Sequence, residues 1–182
     1  IAKQFNVSSS EIVFTSCGTE GNNWIIRSAV RDLGIKRIIT TKIEHHCTLY
    51  SIQQMNQEYN TEVQYVNILP NSEIDYKQLE ELLQDGIPTL VSLMHVNNEV
   101  GTILDLKRVV DLCQSNNALF HTDTVQSVGK VEIPLDEIAV DFIVASAHKF
   151  HGPKGAGFVF IRKKNVLKPL IVGGEQEKGL RA

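Results

Sequence analysis

DFIVASAHKFHGPKGAG, residues 141–157, is the stretch whose reading decides the fold. Its apolar run Phe142, Ile143, Val144, Ala145 predicts a buried strand. Ser146, Ala147, His148 and Lys149 follow as a turn, and a Gly/Pro-rich loop then leads to a second apolar run at 158–161. A lysine at the mouth of a buried strand, flanked by a hydroxyl and an imidazole, suits a Schiff base to an aldehyde. Burial penalises the ammonium form, and the neutral amine is the nucleophile. The plain alternative is a solvated loop lysine.

Outward from this stretch, short apolar runs alternate with helical patterns. EIVFT at 11–15 predicts a strand, 16–20 a small polar loop, and 22–33 a helix with Ile26, Ala29, Val30 and Leu33 on one face, stopped by Gly34. RIITT at 37–41 is a second strand, followed after the loop 43–46 by a helix carrying Ile52, Met55 and Tyr59 on one face. A third strand is expected over 62–69, a turn over 70–74, and a helix with Leu79, Leu82 and Leu83. TLVSLMHV at 89–96 is nearly continuous in apolar character, as in a strand covered on both faces. Asp105 is placed to cap a helix with Leu106, Val109, Val110 and Cys113 on one face. ALFHT at 118–122 is another strand, and 124–137, broken by Pro134, reads as loop with a short helix. No repeat or linker interrupts this pattern. It predicts one α/β domain: three layers, with a mostly parallel sheet and helices on both faces.

Such sheets bind ligands in the crevice beyond the carboxyl ends of their strands. The residues expected there are Gly18 and Thr19, His45 and His46, Asn97 and Asn98, Asp123 and Gln126, and Ser146, His148 and Lys149. Nearly every chemically interesting side chain falls on that edge, whereas chance would scatter them. Ser16–Cys17–Gly18–Thr19 runs into a helix, whose free N–H groups and positive dipole end favour an anion such as phosphate. Ser146 and His148 can bond the same anion from the opposite side; the plain reading of Thr19 is a helix cap. A pyridine ring needs a carboxylate on its nitrogen, and Asp123 is placed for that, or is an ordinary turn aspartate. Gln126 and Asn98 can bond a ring hydroxyl or a substrate carboxylate, although Asn97–Asn98 also fits an asparagine turn. His45 can lie over the ring and shuttle protons, with His46 a bystander. A metal site is the rival explanation for His45, His46, Cys47, His121, Asp123, His148 and His151, but no compact ligand-pair spacing supports it.

The chain has 182 residues, 42% hydrophobic, enough for one sizeable core. Its net charge of −3 argues against nucleic acid or an anionic membrane as the main partner. No apolar run approaches a membrane span. Three widely spaced cysteines make no disulfide framework, and a reducing, cytoplasmic setting is the simplest inference. The chain opens on Ile1 and closes on EKGLRA, which reads as a piece of a longer protein.

FTSCGTEGNN, IEHHCTL, MHVNNEVGT, HTDTVQSVGK, SAHKFHGPKGAGF and GGEQEKGLRA, in this order and spacing, closely resemble cysteine desulfurases of the NifS/IscS type. These are class V, fold-type I enzymes using pyridoxal 5′-phosphate (PLP). The resemblance spans essentially the whole chain. It implies that Lys149 forms the Schiff base with PLP, Asp123 pairs with the pyridine nitrogen, and Gln126 bonds the ring hydroxyl. Gly18, Thr19, Ser146 and His148 would hold the phosphate, His45 would stack on the ring and transfer protons, and Asn98 would contact cofactor or substrate. The implied reaction is L-cysteine to L-alanine with sulfur left as an enzyme persulfide, for iron–sulfur cluster assembly or thio-modification, in a homodimer that passes sulfur to an acceptor or scaffold protein. A selenocysteine lyase or another class V member is the nearest alternative, and a metal-dependent hydrolase a more distant one.

The family's nucleophilic cysteine lies on a loop C-terminal to everything here, and Cys17, Cys47 and Cys113 do not match it. The resemblance therefore implies that residues 1–182 are a cofactor-binding large domain without its C-terminal small domain, inactive in persulfide transfer alone.

Overall fold

The computed structural model describes all 182 residues. The strands in chain order are β1 (Ile12–Thr15), β2 (Arg37–Thr40), β3 (Glu62–Tyr65), β4 (Thr89–Ser92), β5 (Leu119–Asp123), β6 (Phe142–Ser146) and β7 (Gly157–Ile161). They form one sheet in the order β1-β7-β6-β5-β4-β2-β3. The pairs among β2 to β6 are parallel, and only β7 runs the other way, antiparallel to both β1 and β6. The helices are α1 (Gly18–Leu33), α2 (His46–Tyr59), α3 (Tyr76–Leu83) and α4 (Leu106–Ser115).

Alternation along the strands divides the core in two. Phe142 and Val144 pack on one face of the sheet with Trp24, Ile25 and Ile26 of α1 and Ile52 and Met55 of α2. Ile143 and Ala145 face the other side, with Leu79 and Leu83 of α3 and Val109, Val110 and Cys113 of α4. Each fully buried large apolar side chain contributes about 1.5–3 kcal/mol, so these two layers hold the sheet between them. Asp75 and Asp105 cap α3 and α4 through the N–H groups of Gln78 and Arg108 at 3.1 and 3.0 Å, each cap worth about 1 kcal/mol.

The expected three-layer α/β architecture is present, with several local differences. Helix α1 starts at Gly18, four residues before the apolar periodicity becomes visible, because Gly18 and Gly21 show no hydrophobic signal. A Cβ at Gly21 would stand 2.7 Å from Val144 Cγ1 and 2.8 Å from Val159 Cγ1, so glycine there lets the helix lie close on the sheet. Strand pairing in β4 ends at Ser92, although the N–H groups of Leu93 and His95 still donate to the carbonyls of His121 and Asp123. The expected strand 62–69 ends at Tyr65, and Ile68 bridges Ile74 instead. Tyr59 is exposed, unlike Ile52 and Met55. Residues 124–137 hold turns at 125–130 and 135–137 and no helix. No helix is long and apolar enough to cross a membrane.

Candidate active site

The carboxyl ends of the parallel strands open onto a cavity of about 280 Å³. It is lined by nine of the eleven residues that the sequence reading placed there, Gly18, Thr19, His45, Asn98, Asp123, Gln126, Ser146, His148 and Lys149, and not by His46 or Asn97. A larger groove of about 920 Å³, between Phe5, Val128, Ile133 and Phe158, contains none of them.

Asp123 is the last residue of β5 and is almost fully buried. Burial pushes its carboxyl above the ordinary carboxylate range, opposed by the Val125 N–H, the Asn22 amide and the nearby His45. The Val125 N–H donates to Oδ1 at 2.9 Å and Asn22 Nδ2 donates to Oδ2 at 2.7 Å. Both oxygens are held, so the carboxylate has one orientation.

At one end of the cavity, α1 begins with no side-chain cap; its N-cap position is the extended Cys17. Thr19 lies inside the first turn, so the plain reading of it as the cap does not hold. The first-turn N–H groups therefore face the anion-favouring end of the dipole. Gly18 is required by space: a Cβ there would meet Val125 Cγ2 at 2.5 Å. Behind this turn, Glu20 accepts from the Ser16 N–H at 2.9 Å and pairs with Arg181. Burial works to raise the Glu20 pKa, but Arg181 and Ser16 hold it below the ordinary range.

Across the cavity, Ser146 ends β6 and its hydroxyl lies 3.1 Å from His148 Nδ1. Residues Ala147–Lys149 form a 3-10 turn. Lys149 is exposed on it. The burial expected for this amine is absent, because the turn carries the side chain past the end of β6, beyond the cover of the helices. Asn97 forms the asparagine turn, its Oδ1 accepting from the N–H groups of Glu99 and Val100 at 2.8 and 3.0 Å. Asn98 is thereby left on the cavity side.

His45 is the N-cap of α2: its Nδ1 accepts from the Cys47 N–H at 3.1 Å. A ring nitrogen that accepts carries no proton, so the neutral imidazole bears its hydrogen on Nε2. His46 stacks on Tyr50 at 5.5 Å, outside the cavity. No group of three or more His, Cys, Asp or Glu side chains is placed to hold a metal ion.

Two residues of this site were missed or misjudged from sequence. Asn22 is fully buried on α1, and its signal was an amide four residues ahead of Ile26 on the apolar stripe. Cys47, weighed only as a metal ligand or nucleophile, lines the cavity beside His45. Glu44 is also buried; its Oε1 accepts from Thr41 Oγ1 and the Met94 N–H, both at 3.0 Å, which ties the His45 loop to the loop after β4.

A family comparison matches residues 1–181 to the aminotransferase class-V family. The chain belongs to that family. Among curated relatives, the mitochondrial cysteine desulfurase of Saccharomyces cerevisiae is 40% identical over 186 residues, covering all of this chain and 37% of that protein. The cysteine desulfurase IscS of Dictyoglomus turgidum is 40% identical over 184 residues, again the whole chain but 46% of the relative. A solved NifS-like protein superposes with a TM-score of 0.93 at 42% identity, covering all of this class-V chain and 50% of that one. SspA, solved in complex with cysteine, gives 0.91 at 36% identity and 53% coverage of its chain. The class-V chain thus spans about half, or less, of the relatives it matches.

Proposed function

We propose that the cavity binds pyridoxal 5′-phosphate and that the protein serves as a cysteine desulfurase, converting L-cysteine to L-alanine. The observation that carries this reading is the meeting of three groups in one cavity: a lysine, a buried and doubly held carboxylate, and an uncapped helix N-terminus. The residues fit the group. PLP, when bound, supplies an electron sink for charge developing on the substrate's α-carbon. Asp123 accepts a hydrogen bond from a protonated ring nitrogen, and its fixed orientation means that no reorganisation is needed. The first turn of α1, with Gly18 and Thr19, holds the phosphate from one side, and Ser146 and His148 hold it from the other. Gln126 and Asn98 offer amides to the ring hydroxyl and the substrate carboxylate. Lys149 provides the nucleophilic amine, and His45 moves a proton at Nε2, the nitrogen its N-cap bond leaves free.

In this reaction the substrate's C–S bond breaks, its sulfur joins a thiolate as a persulfide, and the methyl carbon of alanine takes up a proton. In this reading Cys17, Cys47 and Cys113 do not carry the sulfur. The chain is the cofactor-binding large domain of a homodimer that passes sulfur to an acceptor or scaffold protein. A reducing, cytoplasmic compartment suits three cysteines that are all free. The relatives named cysteine desulfurases, and SspA with its bound cysteine, support cysteine over selenocysteine as substrate.

The test is borohydride reduction of the chain with PLP, followed by peptide mapping. The label is expected on Lys149 and absent from Lys149→Ala; a label spread over surface lysines overturns the assignment. Assay of the full-length enzyme with cysteine, cysteine sulfinate and selenocysteine separates the desulfurase from its class V alternatives.

A further inference from the structure

Asp123 and His45 stand on different elements, one ending β5 and the other opening α2, yet an unbroken chain of contacts joins them. Asn22 Nδ2 donates to Asp123 Oδ2 at 2.7 Å and also lies 3.3 Å from Cys47 Sγ. Cys47 Sγ lies 3.0 Å from His45 Nδ1, the same nitrogen that accepts from the Cys47 N–H. From these contacts we propose that Asn22 and Cys47 are positioning residues, an amide–thiol bridge that sets the orientation of the Asp123 carboxylate and the His45 imidazole together. This deepens the PLP reading and rests on it for the function of the two ends, although the bridge itself does not need a cofactor.

The donors and acceptors along the bridge are consistent. An amide NH₂ has two hydrogens: one goes to the carboxylate and the other to sulfur. Sulfur can take the second only while its own hydrogen points elsewhere, and His45 Nδ1 is the acceptor within reach. The arrangement therefore needs a protonated thiol. Burial raises the Cys47 thiol, and Asp123 adds to that, while the Asn22 amide opposes it; the S–H form holds at neutral pH. Asn22 is 0% exposed, so water cannot replace its amide without repacking α1. Serine can occupy the Cys47 position and keep a donor and an acceptor; alanine cannot.

The bridge makes a prediction that loss of packing alone does not: a change at Asn22 is felt at His45, which it does not touch. In the cofactor-free chain labelled with ¹⁵N-histidine, Asn22→Leu and Cys47→Ala are each expected to move the His45 Nδ1 resonance. The double variant should move it no further than the larger single change, and Cys47→Ser should restore it. An Asn22→Leu chain with an unmoved His45 signal, or strictly additive shifts, overturns the bridge.

The second arm reads the carboxylate with PLP and with its 1-deaza analogue, in which carbon replaces the ring nitrogen. Loss of one hydrogen bond to a charged group is worth about tenfold or more in affinity. Asn22→Leu is expected to weaken PLP about tenfold and to leave the analogue within about twofold. Equal weakening of both ligands means that Asn22 merely holds the fold, and overturns the positioning role. If the unmodified chain fails to fix PLP on Lys149, the cofactor reading falls, and the histidine resonances still decide the bridge.

Discussion

On the α3/α4 face of the sheet, Leu79, Leu83, Val109 and Val110 pack against Phe120, Ile143 and Phe160, and no side-chain atom of either helix is buried without a partner. The α1/α2 face has an apolar layer of the same kind, built on Trp24, Ile25 and Met55, but it also buries Asn22, Ser28, Thr48 and Ser51, each with an unpaired polar atom. Buried polar groups cost stability unless they are matched. Among the helices, that cost falls on α1 and α2, the two that start at the cavity. One face therefore supplies stability, and the other gives part of it up to present chemistry.

Substitutions that separate the two faces test this contrast. The largest effect belongs to Phe120→Ala, expected to cost about 3–5 kcal/mol in urea unfolding, with the PLP affinity of the remaining folded protein unchanged. A matching loss of affinity would show that the faces are not independent. Next is Glu44, whose carboxyl burial pushes up to about 8, helped by Asp123 and opposed by the Met94 N–H and Thr41. The folded chain holds that proton more tightly than the unfolded chain. Stability therefore falls as pH rises from about 4.5 to about 8 and is level above it. Glu44→Gln should flatten this slope, removing a few kcal/mol of pH dependence; an unchanged slope in urea midpoints at pH 5 and 8 refutes the assignment. Gly18→Ala, forced against Val125, should cost about 1–3 kcal/mol and, under the proposed PLP reading, weaken PLP by more than it weakens pyridoxal, since in that reading only the phosphate meets that turn. Smallest is Lys107→Ala, which removes an exposed pair with Asp111 on α4; no shift in the urea midpoint is expected.

Much of this division was readable from residue order. The apolar run at 142–145 and the nearly unbroken TLVSLMHV mark buried strands, and the rule about strand ends gathers Asp123, Lys149 and their neighbours from the sequence alone. Asn22 escaped because an amide on an apolar stripe leaves no periodic trace, and its partners Asp123 and Cys47 lie 101 and 25 residues away. For Lys149 the exposed alternative holds over the buried one, because a single 3-10 turn carries the side chain past the strand end. The start of α1 was hidden by Gly18 and Gly21, chosen for close approach and not for helix propensity.

The reversed strand β7 has a consequence for how the protein comes into being. It lies between β1 and β6, with Gly157 opposite both Thr15 and Ser146. The two loops that face each other across the cavity are thus held apart by one late-arriving ribbon of chain. On a ribosome, β1 and α1 emerge long before that ribbon, and their half of the cradle waits for about 140 residues of synthesis. Competence to capture a ligand should therefore arise in one step, when the last strand slots home, and slowly, since so distant a closure carries a large entropic toll.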